Sequence, residues 1–443
     1  MSGPVKVVIL GAAGRDFHNF NMKYRDNPGY RVICFTATQI PDIAGRVYPP
    51  ELAGRLYPEG IPIESESKLK DIIIKEGVNE VVFSYSDVSH EHVMHLASIS
   101  IASGADFRLL GADSTMLHSS KPVISICAVR TGGGKSQTTR KVAKILKNMG
   151  KRVVVVRHPM PYGDLKKQVC QRFATLEDLD KYECTIEERE EYEPHILEGI
   201  VVYAGVDYGL ILKEVEKEAD VIVWDGGNND LPFYKPDLSI VVMDPLRAGH
   251  ELKYHPGEAN VRMADVLIIN KMDTATPEQV EIVRKNAREM NPAAKIIEAE
   301  SPIHVDYPEK IRGKSALIIE DGPTVTHGGM GFGAGYLAAM KFGARDVIDP
   351  RPYAVGSIKT TFSNYAHLKN ILPAMGYSKR QISELEKTIN NSPCEVVIEG
   401  TPVRLDRMLK INKEIVHVSY TLKEIGSLTL EDLLAGFFRD KHG

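Results

Sequence analysis

The sequence predicts an α/β protein in which parallel sheets are covered by helices on both faces. Near-continuous Val/Ile runs recur along the chain, as in Val153-Val154-Val155-Val156, Val221-Ile222-Val223 and Val266-Leu267-Ile268-Ile269. Strands of this kind are buried on both faces, which is the condition of a parallel sheet. Longer segments of helical period separate them, so strand and helix alternate along the chain. At 443 residues the chain is long enough for two or three cores.

The first segment, residues 1–120, opens with an apolar run at 5–10 and the loop Gly11-Ala12-Ala13-Gly14-Arg15-Asp16. Further strands are expected at 30–36 and 80–84, giving a Rossmann-like domain. Gly11-x-x-Gly14 is only part of a dinucleotide fingerprint, because Asp16 and Phe17 stand where a third glycine would. A domain that binds no dinucleotide is an equal reading; a nicotinamide or CoA site is the other. His92 and His95 share a helical face, but with His90 they read better as a polar surface than as metal ligands.

The second segment, residues 121–320, is expected to hold six strands, at 122–129, 151–157, 221–225, 239–244, 266–270 and 295–299. After the first comes Arg130-Thr131-Gly132-Gly133-Gly134-Lys135-Ser136-Gln137, then a helical pattern. Strand, glycine loop, Lys-Ser and helix is the order of a phosphate-binding P-loop. Backbone N–H groups and the helix N-terminus would meet phosphate oxygens. Lys135 would reach the β- and γ-phosphates, and Ser136 would hold Mg²⁺. Val129 stands where the motif's first glycine is usual, so partners downstream must support the assignment.

Two such partners occur. Val221-Ile222-Val223-Trp224-Asp225 is an apolar strand ending in a carboxylate, suited to the Mg²⁺ water shell. Asn270-Lys271-Met272-Asp273 follows the fifth strand and has the form of a base-recognition motif, in which Asp273 would take the two donors of guanine. ATP or GTP is therefore the expected cosubstrate. Arg130 lies five residues before Lys135, the offset at which dimeric partitioning and metal-insertion ATPases carry a signature lysine. It reads equally as a transition-state cation and as a phosphate or loop ligand. That offset also suggests a homodimer.

Polar and basic residues collect at strand ends: Arg157, His158 and Tyr162 after the second strand, Arg247, His250, His255, Glu258 and Arg262 after the fourth, and His327 in a glycine-rich loop. In a chain of net charge −4, such clustering suggests a pocket for a small, multiply anionic substrate. The run Glu187-Glu188-Arg189-Glu190-Glu191 reads as a solvated helix face, in the region where nucleotide switches and lids occur. The third segment, residues 321–443, is expected to be a smaller α/β domain packed on the second.

The bulk numbers exclude several classes. An overall acidic surface is no footprint for nucleic acid. Five scattered cysteines with no Cys-x-x-Cys pair fit neither a disulfide framework nor a structural zinc site, and suit a cytoplasmic protein. No apolar run has transmembrane length.

Several stretches together resemble the cyclic 2,3-diphosphoglycerate synthetase family and its P-loop GTPase relatives. They are the P-loop through Gln137, Arg157-His158-Pro159-Met160-Pro161-Tyr162-Gly163, Val202-Tyr203-Ala204-Gly205-Val206-Asp207-Tyr208, His255-Pro256-Gly257-Glu258, Asn270-Lys271-Met272-Asp273 and Thr326-His327-Gly328-Gly329-Met330. The resemblance implies ATP-driven closure of a phosphoanhydride within 2,3-diphosphoglycerate. The alternative is a regulatory or chaperone-type GTPase with a protein partner.

Overall fold

The computed structural model describes residues 3–38, 43–157, 163–227, 230–376 and 378–442. The first sheet contains β1 (Val5–Leu10), β2 (Tyr30–Ala37), β3 (Val47–Tyr48), β4 (Ile61–Ser65), β5 (Glu80–Phe83) and, after the short β6 (Val88–Ser89), β7 (Asp106–Leu109). Their order is β3-β4-β2-β1-β5-β7, parallel except for β3. Helix α1 (Arg15–Lys23) follows β1. This is the doubly wound arrangement, with the reversal of strand order beside β1.

The loop after β1 is closed on itself by Asp16. The Asp16 carboxylate accepts the N–H groups of Ala13 and Phe17 at 2.7 and 2.8 Å. It lies so close to Gly11, where φ is +110°, that a Cβ there would come within 2.5 Å of it. A carboxylate thus occupies the donors that a pyrophosphate would use.

The second sheet is built on β8 (Val123–Ala128), β9 (Val153–Arg157), β10 (Gln171–Phe173), β11 (Val201–Ala204), β12 (Val221–Trp224), β13 (Leu238–Met243), β15 (Val266–Ile269) and β16 (Lys295–Glu300). β14 (Tyr254–His255) leaves this sheet to pair with β6, stitching the first two layers together. The order is β10-β11-β9-β12-β8-β13-β15-β16, all parallel except β10. Every residue of β8, β9, β12, β13 and β15 is buried. Apolar clusters cover both faces, one under α2 (Lys135–Asn148) and α3 (Ile186–Leu197), the others under the helices between β11 and β16. The parallel sheet with helices on both faces is therefore the observed architecture, and it follows from the unbroken β-branched runs.

The third sheet, of β17 (Ile303–Val305), β18 (Ser315–Asp321), β19 (Asp346–Val347), β20 (Ile371–Ala374), β21 (Val396–Gly400) and β22 (Glu414–Tyr420), runs β17-β22-β21-β18-β19, with β20 also on β18. Helix α4 (Ala334–Lys341) covers one face. The chain then returns to the second sheet. β23 (Lys423–Ile425) pairs antiparallel with β16, and α5 (Leu430–His442) adds Leu430, Leu433 and Leu434 to the core around α2. Among the described residues no helix is long and apolar enough to cross a membrane.

Candidate functional site

The glycine loop joins β8 to α2 at the carboxyl edge of the second sheet, with Gly134 at the N-cap of α2. Gly134 has φ +112°, and a side chain there would collide with the Asn270 amide. Both the turn and the close approach demand glycine. Asn270 donates to the Gly133 carbonyl at 3.1 Å, and Lys271 donates to the Gly132 carbonyl at 2.6 Å. Lys271 also meets Asp244 at 3.0 Å. The Asn-Lys pair therefore braces the loop from the adjacent strand. Asp273 stays exposed, taking the Ser301 N–H at 2.9 Å. Gln137 and Ser301 are hydrogen-bonded at 3.2 Å. Thr131, Gly132, Gly134, Lys135, Ser136 and Gln137 all line one cleft.

Behind the loop lies a buried ionic series. Lys135 donates to Asp225 Oδ1 at 2.6 Å and to the Gly226 carbonyl at 2.7 Å. The other Asp225 oxygen is paired with Arg157, which also pairs with Glu191 on α3. His195 Nε2 stands 3.7 Å from Asp225. Burial alone would push the Asp225 carboxyl up; Arg157 and Lys135 outweigh it and hold the group well below the usual carboxylate range. Burial, reinforced by Arg157, lowers the Lys135 ammonium despite the opposing pull of Asp225.

Among the described residues, those named for a basic substrate pocket do not line the cleft at the P-loop. Arg157 is fully buried beneath Asp225. His158 and Tyr162 lie outside the described residues. Glu258 and Arg262 pair with each other at 2.6 Å on a helix outside the cleft, with Arg262 exposed. His255 is held in β14, and burial pushes its imidazole down to about 4. Arg247 is bound to Asp244 at 2.7 Å and to the Gly328 carbonyl at 2.8 Å. Its cation therefore ties β13 to the glycine-rich loop.

Arg130 is likewise engaged by protein groups. Its Nε meets Asp87 at 2.5 Å, Nη1 meets His250 Nδ1 at 2.6 Å, and Nη2 reaches the His327 and Gly328 carbonyls at 3.4 Å. The guanidinium lies 3.7 Å from the Tyr254 ring centre, with His250 stacked on the same ring. Burial, and next Arg130, push His250 down to about 4; burial also lowers His327. Arg130 thus clamps the first sheet, the P-loop and the glycine-rich loop together.

What faces the P-loop across the cleft is acidic. The cleft, with a cavity of about 150 Å³, is lined by Glu187, Glu190 and Glu191 of α3 and by Glu320 and Asp321 at the end of β18. Met330, Phe332, Leu337 and Pro402 form an apolar wall. Glu187 accepts the Gly376 N–H at 3.0 Å through one oxygen while the other has no hydrogen-bond partner. Glu190 is bound to Thr401. Glu320 accepts three N–H groups at the start of α4, and Asp321 caps the turn that follows it. Burial raises all four, Glu187 to about 8, Asp321 to about 6 and Glu190 well above the usual range, the Asp321 charge adding to the last. The Glu-rich run is thus no solvated face. Glu187, Glu188, Glu190 and Glu193 are all buried, because α3 is wedged between the second and third sheets.

Residues 219–298, from the end of the helix before β12 into β16, match the model of the CobW/HypB/UreG nucleotide-binding domain. Arginine synthetase ArcE of Thermococcus kodakarensis is 67% identical over 429 residues, covering 97% of this chain and 96% of that protein. The chain belongs to the arginine synthetase family. The likeness of this family member to cyclic 2,3-diphosphoglycerate synthetases is distant. That of T. kodakarensis is 24% identical over 252 residues, spanning 51% of this chain and 57% of the relative. The expected resemblance holds at that distance, over about half of the chain, whereas near-complete coverage at 67% identity belongs to the arginine synthetase. Among solved structures, LpxK from Aquifex aeolicus in complex with ATP aligns at 13% identity and a TM-score of 0.44, over 79% of this chain and 95% of that one.

Proposed function

We propose that the protein is a nucleotide-dependent ligase that closes the guanidino group of arginine. The observation that carries this reading is the cluster of buried carboxylates opposite the P-loop. Such a cluster, protonated or ionised, offers no cation to a bisphosphorylated acid, so cyclisation of 2,3-diphosphoglycerate draws no support from it. It suits the N–H groups of an amino acid side chain that is, or becomes, cationic. A synthetase as a relative 67% identical over nearly the whole chain also weighs against a GTPase switch with a protein partner.

The chemistry follows from what a P-loop delivers. The carbon of a guanidino group has the oxidation level of urea, and its oxygen is a poor leaving group. Attack of a ureido oxygen on the γ-phosphorus breaks the β,γ-anhydride and releases the nucleoside diphosphate. Attack of ammonia on the ureido carbon then expels phosphate, and the nitrogen gives up a proton. Lys135 stabilises charge on the transferred phosphoryl group. Ser136 and Asp225 offer the oxygen ligands that Mg²⁺ prefers, and would hold it to neutralise the β- and γ-phosphates. The departing phosphate takes the nitrogen's proton, and Glu187 and Glu190 line the cleft that would hold the planar product.

Phosphorus and nitrogen NMR of ATP or GTP with a ureido amino acid and ammonium tests this. The expected products are arginine, nucleoside diphosphate and phosphate in equal amounts. Nucleotide turnover that ignores both acceptors would sink the reading.

A further inference from the structure

We propose that Arg157 is a positioning residue that couples occupancy of the nucleotide site to occupancy of the carboxylate cleft. This rests on the reading that the cleft takes a cationic amino acid. Lys135, Asp225, Arg157 and Glu191 form one series of alternating charge, contact by contact, from the P-loop to the cleft wall. Arg157 is completely buried, so neither substrate touches it; Glu191 lines the cleft and Lys135 the phosphate loop. Two cations balance two carboxylates, and each end of the series has a ligand outside it.

The direction of coupling follows from this balance. Nucleotide phosphates draw Lys135 away from Asp225. The charge of Mg²⁺ is met by the phosphates, so Asp225 keeps Arg157 as its remaining protein cation, and the hold of Arg157 on Glu191 weakens. Glu191 becomes more available to a cation in the cleft. By reciprocity, a cation on Glu191 leaves Arg157 to Asp225 and frees Lys135 for phosphate. The two ligands therefore favour the same redistribution of charge. The helix carrying Glu191 is anchored on its other side by Glu187 to Gly376, Glu190 to Thr401, and Glu193 to Arg407 at 2.6 Å. Arg157 is its ionic tie to the nucleotide side.

The test is a binding cycle, read without turnover. Arginine affinity is measured by calorimetry with and without β,γ-imido-ATP, on the full-length protein and on Arg157→Lys and Glu191→Gln. In the unaltered protein the nucleotide should tighten arginine about 5-fold or more. In both variants that ratio should fall to about one, while the melting temperature of Glu191→Gln stays near the original. A ratio of one in the unaltered protein, or an undiminished ratio in the variants, overturns the coupling and leaves the cleft assignment standing. Failure of arginine to bind under any condition overturns both.

Discussion

Arginine binding should release protons and tighten as pH rises from about 6 to about 8. The perturbation is the arrival of a guanidinium among carboxyl groups that burial has raised, Asp321 to about 6 and Glu187 to about 8. Glu187 is therefore protonated for most of the time at pH 6 and for half of it at pH 8. A guanidinium at hydrogen-bond distance favours the ionised form, so the proton must leave. One proton released per ligand changes the dissociation constant about tenfold per pH unit, or ~1.36 kcal/mol. Even with partial release, arginine should bind ~10-fold more tightly at pH 8 than at pH 6. Stability gives a second reading. The folded-state pKa of Glu187 exceeds its ordinary value of 4.5, so the folded state holds a proton that the unfolded chain loses. Stability should fall as pH rises from about 4.5 to about 8. Saturating arginine should recover more melting temperature at pH 8 than at pH 6. Calorimetry at pH 7 in two buffers of different ionisation enthalpy reads the protons directly. A flat dissociation constant and a buffer-independent heat would refute the reasoning. Glu187→Gln should reduce both slopes.

Three further outcomes are expected. Lys135→Ala should lose turnover by at least ~100-fold while remaining folded, because Asp225 keeps Arg157; full activity would remove the P-loop assignment. Asp273→Asn should weaken GTP and leave ATP nearly unaffected in competition binding, since Asp273 is the exposed member of its motif; equal effects would make it a brace for Ser301. Arg130→Ala should lower stability by about 3–5 kcal/mol in urea titration, because it strands the buried Asp87 carboxylate; an unchanged unfolding midpoint would end its role as a clamp.

Much of the fold was legible because its signals are local. Buried parallel strands announce themselves as β-branched runs, and Gly134 is required by φ and by Asn270 alike. The site was only half legible. Phosphate recognition is contiguous in sequence, from Arg130 to Gln137. The acidic wall is assembled from α3 and β18, about 130 residues apart, and no spacing rule joins them. Glu187 to Glu193 have the composition of a surface helix, and only the third sheet packing over them makes them interior. The settings of Arg157, Arg247 and Arg130 were illegible for the complementary reason. Cations at strand ends resemble an anion site until their carboxylate partners, Asp225, Asp244 and Asp87, are placed beside them.

The return of the chain after β22 bears on how the molecule can be made. β23 closes the free edge of β16, and α5 seals the core beside the phosphate-binding helix. On the ribosome those residues emerge after the rest of the layer. The nucleotide-binding layer therefore stays open on one side, with a bare strand edge and an uncovered apolar face, until they have emerged. A chain stopped near residue 420 would carry every residue of the phosphate loop and still present that exposed surface to its neighbours. Competence to bind nucleotide should thus appear only once β23 and α5 have emerged, and nascent chains stalled before β23 should depend on chaperones to stay in solution.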